Sequence, residues 1–529
     1  MTAGRGMIVC PQPVAAEVGR DVLRRGGNAV DAAVTTAFVQ GVIDPHMCGL
    51  GGCGALVHYS AREGAVRVLE FYATAGSKVR PDQWEHLFIR EAANRYGYVL
   101  EGAVNDVGYQ SVGVPGTVAG LDEALRRWGT ISWDQAVRPA VSHARDGFEV
   151  TGNVHSYWVQ DSGPDEVPNP RRIQWTEESK RIYTRGGELF AVGDVIVNED
   201  YARTLERLAR EGARDFYEGE IAAAIADDFE RGGGFVTRED LAAFRPRLAE
   251  PVRGAYRGLD VVVAGPPAGG MTLLQMLNFL EGFPLSDCGW PSVDAALARV
   301  RAMDFAFADR ERYLADPAFT DVPVAELTAK EYAAAARSAA RSAHDSPTTT
   351  HVTVIDGTGD AVTLTHTLGA SSGVVTPGLG FTYNNYLNCF DPRPGRVNSL
   401  APGKTRITMM SPGFVFDGGV LRYALGAPGG TRIVTGVLQT LLNLVDHGMT
   451  PEEAVSAPRI DFQGVTVQTE QRIPWEIIEA IHTAGYEVTR RPLSYDGYFS
   501  RVQLIEAHPD GTLRGASDPR KDGGIALPA

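Results

Sequence analysis

The chain of 529 residues carries 65 acidic and 50 basic side chains, and its net charge of −15 argues against a nucleic-acid or anionic-membrane partner. Its 44% hydrophobic and 22% charged residues are those of an ordinary globular protein, and no apolar run reaches membrane-spanning length. The N-terminus has no basic stretch followed by a long apolar one, so we expect no secretory signal and a cytoplasmic protein.

The cysteines number five, an odd count, and no two of them are spaced as CxxC. Scattered cysteines of this kind are expected to be reduced and mostly buried, because a disulfide framework needs paired residues. They are Cys10, Cys48, Cys53, Cys288 and Cys389.

The part of the chain before residue 349 is predicted to be mainly helical. Apolar residues at helical spacing predict a first helix over 13–25, and Asn28 is a suitable N-cap for a second helix that ends near residue 42. The glycines of CGLGGCGALVHYS then interrupt the helical pattern, and strands are predicted at the end of this stretch and at 66–72. Further helices are predicted at 117–128, 133–146, 200–211, 218–231, 271–281, 291–314 and 329–342.

The part from about residue 349 is predicted to be mainly sheet. The sequence DGTGD at 356–360 is typical of a turn between two strands. The strands are predicted at 350–356, 361–368, 379–384, 411–417, 420–426 and 499–506, and two helices at 431–446 and 474–484. A helical part followed by a sheet part is compatible with two domains, and equally with one layered domain to which both parts contribute strands.

A serine nucleophile is one interpretation of the GASSG motif at 369–373, which matches the G-x-S-x-G pattern with Ser371 at its centre. That pattern requires a strand before the serine and a helix after it. Here VVTPGLG follows, and Pro377 with two glycines disfavours a helix. We therefore favour a glycine-serine loop.

A metal site is a second interpretation, since His344, His351 and His366 lie close together in the sequence. None is paired with a second ligand at helical spacing, and no Cys/His spacing fits zinc, so hydrogen-bonded histidines are favoured. The glycines of GAPGGTR, at 426–432, lack the lysine of a phosphate-binding loop. They would still expose backbone N–H groups at the start of a helix, where a developing negative charge is stabilised.

Three consecutive threonines, Thr348, Thr349 and Thr350, precede the first predicted strand of the second part. A hydroxyl needs a base to become a nucleophile. Cleavage of the bond before a threonine would free an α-amine that can take the proton of the same residue's hydroxyl. The polar loop HDSP, followed by threonines and a hairpin, is the layout that such a reaction needs.

A family resemblance adds to this interpretation. The stretch TTHVTVIDGTGDAVTLTHTL closely resembles the processing-site signature of the γ-glutamyltranspeptidase family of N-terminal-nucleophile hydrolases. Further stretches resemble family motifs in the family's order, so the resemblance covers essentially the whole chain. They are GGNAVDAAVTTAFVQGVIDPHMCGLGG, SVGVPGTVAGLDEAL, ARDGFEV, the asparagine pair at 384–385, APGGTRI and GASDPR.

The resemblance implies an α+β fold, a four-layer αββα sandwich built from both fragments of a self-cleaved chain. Cleavage between Thr348 and Thr349 would give a large fragment, 1–348, and a small fragment, 349–529, that stay together as a heterodimer. No metal or organic cofactor is implied. The expected partners are a small-molecule amide and a water or amine acceptor; a higher homo-oligomer stays open.

The register of the signature assigns roles to individual residues. Thr349 would carry the acyl group and supply its own amine as the base, and Thr367 would hydrogen-bond the nucleophile. Gly429 and Gly430 would form the oxyanion hole. Arg80, which follows ATAGSKV one residue earlier than in the family, would grip the substrate's α-carboxylate.

The acyl pocket departs from the family's pattern. The family holds the γ-glutamyl ammonium with an asparagine after the TxTL run and with acidic or amide side chains after the asparagine pair that ends at Asn385. This chain has Gly369, Tyr386 and Cys389 at those places. Because a buried ammonium without an anionic partner is costly, the acyl group is expected to lack it.

Two further departures concern the carboxylate and the lid. A serine pair before MSP usually holds the carboxylate, and here Thr408 and Met409 stand in its place. The segment 390–412 is shorter than in family members with a lid over the site, so the pocket is expected to be more open. Asn385 remains among the substrate-binding candidates.

The sequence therefore predicts an autoprocessing threonine amidohydrolase or acyltransferase with an altered acyl preference. A true γ-glutamyltranspeptidase or glutathione hydrolase is one alternative. An unprocessed, inactive binding protein of the same fold is another, suggested by the altered pocket.

Overall fold

The computed structural model describes residues 6–92, 97–160, 163, 165–337 and 349–527. The strands within these residues are β1 (Met7–Cys10), β2 (Cys53–Ser60), β3 (Ala65–Phe71), β4 (Phe88–Glu91), β5 (Tyr98–Leu100), β6 (Phe148–Glu149), β7 (Thr184–Arg185), β8 (Glu188–Leu189), β9 (Val195–Ile196), β10 (Arg247–Ala249), β11 (Val252–Tyr256), β12 (Leu259–Val263), β13 (Thr350–Ile355), β14 (Ala361–Thr367), β15 (Gly413–Asp417), β16 (Val420–Gly426), β17 (Ile460–Asp461), β18 (Thr466–Thr469), β19 (Glu487–Arg490), β20 (Gln503–Ala507), β21 (Leu513–Ser517) and β22 (Gly524–Ala526).

The α-helices of the described residues are α1 (Pro13–Arg24), α2 (Ala29–Ile43), α3 (Thr117–Trp128), α4 (Trp133–Asp146), α5 (Gly152–Trp158), α6 (Asn169–Ile173), α7 (Glu177–Tyr183), α8 (Glu199–Glu211), α9 (Asp215–Glu218), α10 (Glu220–Arg231), α11 (Arg238–Ala243), α12 (Gly270–Leu280), α13 (Leu285–Cys288), α14 (Val293–Tyr313), α15 (Val324–Leu327), α16 (Lys330–Ala336), α17 (Arg432–Val445), α18 (Pro451–Ser456) and α19 (Trp475–Thr483). Short 3₁₀ turns cover Glu85–Leu87, Glu101–Ala103, Tyr109–Ser111 and Tyr386–Cys389.

The first central sheet contains strands from both sides of residue 349. Its order is β10-β3-β2-β14-β13-β1-β22. Every pairing in it is antiparallel. β13 lies between β14 and β1, so Thr349, the residue before β13, lies at the end of an interior strand of the sheet.

The second central sheet, in the order β11-β12-β15-β16-β20-β21, also combines strands from both parts of the chain. Its strands pack on one face of the first sheet, and one hydrophobic cluster joins the two. Side chains alternate along β2: Ala55 and Val57 belong to that cluster, whereas Leu56 belongs to a second cluster on the opposite face. This period-two alternation is that of a strand buried on both faces.

Helices cover the outer face of each sheet. The alanine- and valine-rich α2 packs with α1 over the outer face of the first sheet, and its buried side chains belong to the second cluster. On the other side α12, α14 and α17 supply buried side chains to the first cluster. The expected four-layer αββα sandwich built from both parts of the chain is therefore confirmed. Of the two arrangements considered for the sequence, the structure has the single layered domain to which both parts contribute strands.

Several predicted elements are confirmed to within one or two residues. Asn28 caps α2 in a capping box with Asp31, as its side-chain type suggested. The predicted helices at 117–128 and 133–146 have the observed bounds of α3 and α4. The end of the helix predicted at 329–342 lies outside the described residues.

The part before residue 349 is mainly helical, as predicted, and it also contributes β1, β2, β3, β10, β11 and β12 to the two central sheets. One sequence prediction was wrong, because the strand predicted at 379–384 is not formed. Val375 and Thr382 make one isolated bridge, and Gly51 and Tyr383 another, so these residues are extended without joining a sheet.

All five cysteines are free thiols, and four of them are buried. Over the part of the chain that the structure describes, no helix is both long enough and apolar enough to cross a membrane.

Candidate active site

The nucleophile candidate Thr349 immediately precedes β13 and is buried. In the antiparallel register Thr350 faces His366, so the next pair toward the strand end is Thr349 with Thr367. The Thr349 Oγ1 atom lies 3.3 Å from Thr367 Oγ1. The sheet register therefore brings together the two threonines that the sequence assigned to one site.

The Thr367 hydroxyl has a second neighbour in the turn that follows β14. The Gly369 N–H donates to Thr367 Oγ1 at 2.8 Å. A threonine hydroxyl has one proton to donate and two lone pairs. In the structure the Thr349 hydroxyl donates to Thr367 Oγ1, and the same contact would let the Thr367 hydroxyl donate to the Thr349 oxygen once that oxygen has lost its proton. The Thr348–Thr349 bond itself lies outside the described residues.

The nucleophile faces the second sheet because side chains alternate along β13. His351 and Thr353 lie on the face toward that sheet, where Thr353 Oγ1 donates to the Gln503 carbonyl at 3.1 Å. A Cβ on Gly426, at the end of β16, would lie 2.2 Å from the His351 ring, so only glycine permits this approach of the sheets. Thr349 precedes His351 by two residues and lies on the same face.

The glycine pair predicted to form an oxyanion hole connects β16 to α17. Gly429 and Gly430 have φ angles of +136° and +60°. A Cβ at Gly429 would also lie 2.7 Å from the Ser500 Cβ. Because α17 begins at Arg432, the pair lies at the N-terminal end of a 14-residue helix, where backbone N–H groups and the helix dipole favour negative charge.

A cavity of about 480 Å³ is lined by six of the predicted site residues. Its lining includes Thr349, Thr367, Gly430, Cys389, Thr408 and Met409. The segment 391–398, part of the short loop that the sequence singled out, also lines this cavity. The nucleophile, its hydroxyl partner and one oxyanion glycine therefore share a single space that is large enough for a small molecule.

The cavity wall is rich in arginine. Five arginines and three carboxylates line it among the described residues: Arg310, Arg312, Arg393, Arg396 and Arg406, with Glu91, Glu311 and Asp391. Sequence reasoning placed none of these arginines in the site. Arg310 and Arg312 occupy the last turn of α14, where basic residues are common for reasons of helix stability alone.

Two of these arginines differ in their surroundings. Arg393 is held by carboxylates, with its guanidinium 2.8 Å from Asp391 and 3.0 Å from Glu91. Arg406 is 4% exposed, and its guanidinium carbon lies 4.3 Å from the centre of the Tyr386 ring. A guanidinium over an aromatic face is attracted by the ring quadrupole and keeps its positive charge.

The predicted carboxylate anchor, Arg80, is placed elsewhere. Its side chain is 73% exposed, its Nε atom lies 3.4 Å from Asp82, and it is not among the residues that line the cavity. Arg80 begins a surface turn in which its N–H donates to Gln83. The structure thus does not bring Arg80 together with the other candidates.

Three other candidates lie behind the cavity wall. Gly369 and Tyr386 do not line it, and each contacts a residue that does, namely Thr367 and Arg406. Asn385 accepts from the Ala370 N–H at 2.8 Å and donates to Asp106. Asn385 therefore fixes the turn that follows Thr367 and makes no contact with the cavity.

The alternative sites are not supported by the geometry. Ser371 is fully buried, and no helix follows it. His351 makes hydrogen-bond contacts to Thr365 and Thr353, and His366 to Gln40. Burial lowers the pKa of each of these histidines to about 3, so both are neutral. The prediction of hydrogen-bonded histidines is confirmed for these two; His344 lies outside the described residues.

Sequence reasoning also missed a buried polar group beneath β13. Gln12 donates to Thr350 Oγ1 at 3.1 Å and to Asp44 at 2.7 Å, and Asp44 is paired with Lys521. These residues come from the start of α1, the end of α2 and the last loop. No sequence motif predicts these contacts, because Gln12 and Thr350 are 338 residues apart in the chain and Asp44 and Lys521 are 477 apart.

The chain is similar to a known protein family along almost its whole length. A family model described as gamma-glutamyltranspeptidase matches residues 15–527. Acylase ACY 1 proenzyme of Pseudomonas sp. (strain V22) is 38% identical over 536 residues, which cover 99% of this chain and 93% of the relative. Glutathione hydrolase proenzyme of Escherichia coli (strain K12) is 33% identical, with 98% of this chain and 91% of the relative covered.

A solved structure shares the whole architecture. The crystal structure of cephalosporin acylase from Bacillus halodurans superimposes with a TM-score of 0.88 at 29% identity, covering 99% of this chain and 96% of that one. The similarity therefore extends over both central sheets and the helices on each side.

Proposed function

The chain belongs to the gamma-glutamyltranspeptidase family of hydrolases and transferases, and on that premise we propose that it is an autoprocessing amidohydrolase whose nucleophile is Thr349. The single observation that carries the proposal is the 3.3 Å contact between the hydroxyls of Thr349 and Thr367 in the wall of the arginine-rich cavity. Relatives named as proenzymes support a maturation step.

Processing would hydrolyse the peptide bond between Thr348 and Thr349. The products would be fragments of 348 and 181 residues, the second beginning with a free amine on Thr349. The architecture explains how they would stay together. β14 pairs with β2 over seven residues, and β12 pairs with β15, so both central sheets would run across the two fragments.

In turnover the α-amine of Thr349 would take the proton of its own hydroxyl as Oγ1 attacks the amide carbonyl. The backbone N–H groups of Gly429 and Gly430 would stabilise the negative oxygen of the tetrahedral intermediate. The proton would then pass from the amine to the leaving nitrogen, and the C–N bond would break to leave an acyl ester on Thr349. Water or a second amine would attack that ester and regenerate the hydroxyl.

The acyl group is proposed to differ from γ-glutamyl. The positions at which the resemblance expects partners for the α-ammonium are Gly369, Tyr386 and Cys389, and none of these residues has a carboxylate. An ammonium brought to them would lose hydration without gaining a carboxylate. The relatives named as acylases support an acyl group of another kind.

Freshly purified protein tests the proposal on a denaturing gel. We expect two bands, of 348 and 181 residues, and an N-terminal threonine on the smaller one. Thr349→Ala should leave one full-length band, while the control Thr350→Ala should still be cut. Incubation with an amide substrate followed by mass spectrometry should show an acyl adduct on the small fragment. A wild-type chain that stays intact would support the unprocessed binding protein instead.

A further inference from the structure

The GASSG stretch that follows β14 forms a turn with an unusual backbone. Ser371 has a φ of +70°, in the left-handed region that favours glycine, although it carries a side chain. The Ser371 N–H closes the turn on the Leu368 carbonyl at 3.2 Å, so the turn directly follows Thr367. A residue in this region persists only where its surroundings hold it, and such residues cluster at functional sites.

A buried ion pair holds Ser371 in this conformation. Arg172 Nη1 donates to the Ser371 carbonyl at 2.7 Å, and Arg172 Nη2 donates to Asp106 Oδ2 at 2.7 Å. One arm of the guanidinium therefore binds the turn and the other binds the carboxylate. Arg172 is 1% exposed, and a charge-assisted hydrogen bond in such a place is strong enough to offset an unfavourable φ.

The same carboxylate reaches the turn by a second route. Asp106 Oδ1 accepts from Asn385 Nδ2 at 3.0 Å, and Asn385 Oδ1 accepts from the Ala370 N–H at 2.8 Å. The Tyr157 hydroxyl donates to the Ala370 carbonyl at 3.2 Å. Asp106, Tyr157 and Arg172 precede residue 349, so three side chains of the proposed large fragment hold a turn that belongs to the small one.

This turn sets the surroundings of the hydroxyl beside the nucleophile. The Gly369 N–H and the Thr349 hydroxyl both donate to Thr367 Oγ1, at 2.8 and 3.3 Å. Gly369 lies inside the turn that Ser371 closes, so a Ser371 that relaxed to a negative φ would open the turn and displace the Gly369 N–H. A misplacement of about 1 Å at a reacting group can cost about 10²-fold in rate.

We propose that Arg172, paired with Asp106, is a positioning residue for self-cleavage and for turnover. It keeps Ser371 in the left-handed region, and the turn held in this way presents the Gly369 N–H to Thr367. The inference rests on the proposed function and adds side chains of the large fragment to its site. Neither Arg172 nor Asp106 lines the cavity, so both act through Thr367.

Replacing both charges tests this role without leaving one of them buried alone, which would itself destabilise the fold. The neutral-pair variant combines Arg172→Met with Asp106→Asn. Its self-cleavage, followed on a denaturing gel after cell-free synthesis, should be about 50-fold slower than that of the wild type. A wild-type rate of self-cleavage in this variant would overturn the proposal.

Turnover of the matured neutral-pair variant gives a second readout. The substrate is γ-glutamyl- or glutaryl-p-nitroanilide, whichever the wild type hydrolyses faster. We expect kcat to fall by about 50-fold and KM to change by less than about twofold, because the pair positions the nucleophile's partner and does not bind substrate. A loss that lies in KM alone would contradict the positioning role.

Ser371→Gly distinguishes positioning from a general loss of stability. Glycine adopts a positive φ without strain, so its addition to the neutral-pair variant should restore self-cleavage and kcat by at least about fivefold. Ser371→Ala keeps a Cβ and should restore neither. A chain that is merely destabilised would gain nothing from glycine, which loses more conformational freedom on folding than alanine does. Equal effects of the two substitutions would reject the role.

Arg257 and Asp446 form a matched control pair that does not line the cavity. Arg257 Nε lies 3.0 Å from Asp446 Oδ1, and its Nη atoms donate to the carbonyls of Glu281 and Phe283. Arg257→Met with Asp446→Asn should lower the urea midpoint and leave the rate of self-cleavage unchanged. Equal slowing in both double variants would show that the loss of any such ion pair slows the reaction, and the assignment to Arg172 would be wrong.

The outcomes separate this inference from the proposed function. A wild-type chain that stays intact would remove the proposed function itself. A wild type that cleaves itself, with a neutral-pair variant that does so equally fast, would reject the positioning role and keep the enzyme.

Should the neutral-pair variant fail to fold, Ser371 decides in the otherwise unchanged chain. Because only glycine relieves the strain of a positive φ, Ser371→Gly should have a higher urea midpoint than Ser371→Ala. The reverse order, which is usual where φ is negative, would contradict the proposal.

Discussion

Thr349 and Thr367 face each other across two neighbouring strands, with their hydroxyl oxygens 3.3 Å apart. The contact follows from strand register, because Thr350 is paired with His366 and the pairing continues to the next residue on each strand. A shift of one residue would turn every side chain of β13 to the opposite face. The position of the nucleophile candidate is therefore set by the whole hairpin and by the sheet around it.

The first prediction concerns the hydroxyl of Thr367. Thr367→Val keeps the shape of the side chain and removes the hydrogen-bonding group, so kcat should fall by about 10²-fold with little change in KM. Thr367→Ser should retain most of the activity. Self-cleavage of freshly made protein should slow in parallel, as followed by the disappearance of the full-length band.

Thr363→Val is the matched control for this prediction. Thr363 lies on the same strand, and its hydroxyl has no hydrogen-bond partner among the described residues. Its replacement should leave both kcat and the rate of self-cleavage unchanged. If both valine variants lose activity equally, the effect comes from strand packing and the proposed contact is not catalytic.

The second prediction concerns the backbone at Gly429. Gly429→Ala places a Cβ in the left-handed region of φ and within 2.7 Å of the Ser500 Cβ, so the loop must move. A displaced oxyanion donor typically costs 10²- to 10³-fold in kcat. Gly419→Ala is the control, since Gly419 has a φ of +83° and no atom near the added Cβ. Comparable kcat losses in both variants would argue against an oxyanion role.

Much of the fold could be predicted from the sequence where a local signal exists. α3 and α4 were predicted with their observed bounds, since apolar spacing and caps lie within the segments themselves. The strands before residue 349 were largely missed. β11 (VRGAY) and β12 (LDVVV) have five residues each, and neither shows a regular alternation of polar and apolar side chains that would mark a strand, so only their pairing in the sheet identifies them.

In the candidate site, too, residues within a sequence motif were predicted and residues outside one were not. Thr349, Thr367 and Gly430 meet in one cavity as the signature implies, because each belongs to a contiguous motif. Arg406 comes from a stretch without such a motif. In the sequence it lies two residues before the candidate Thr408, and nothing else marks it as a site residue. Only the structure places it in the site, because it stacks on Tyr386 and lines the cavity.

The third prediction concerns Asn385, which fixes the turn after β14. Asn385→Ala would leave the Ala370 N–H without its acceptor in a buried place, so the free energy of unfolding should fall by about 2 to 3 kcal/mol. Urea denaturation measures this loss. Asn153→Ala is the control: the Asn153 side chain donates to an exposed carboxylate, that of Asp522, and its loss should cost less than about 1 kcal/mol. Equal losses of unfolding free energy in the two variants would show that the Asn385 side chain does not stabilise the turn.

The last prediction concerns stability in acid. Burial lowers the pKa of His46 to about 3, and neither ring nitrogen has a hydrogen-bond partner among the described residues. An unfolded histidine binds its proton near pH 6.5. Between pH 6.5 and about 3 the unfolded chain therefore holds one proton more at this position, and the free energy of unfolding falls as the pH is lowered.

His46 packs edge-on against Trp158 and Tyr183, so phenylalanine can take its place in this aromatic cluster without a charge to bury. His46→Phe should therefore reduce the loss of stability on acidification by about 1.4 kcal/mol per pH unit, with similar stability at pH 7.5. Urea midpoints of the variant and the wild type between pH 4.5 and 7.5 test this. Parallel curves would mean that His46 is protonated in the folded protein, and the neutral, desolvated ring described above would then be wrong.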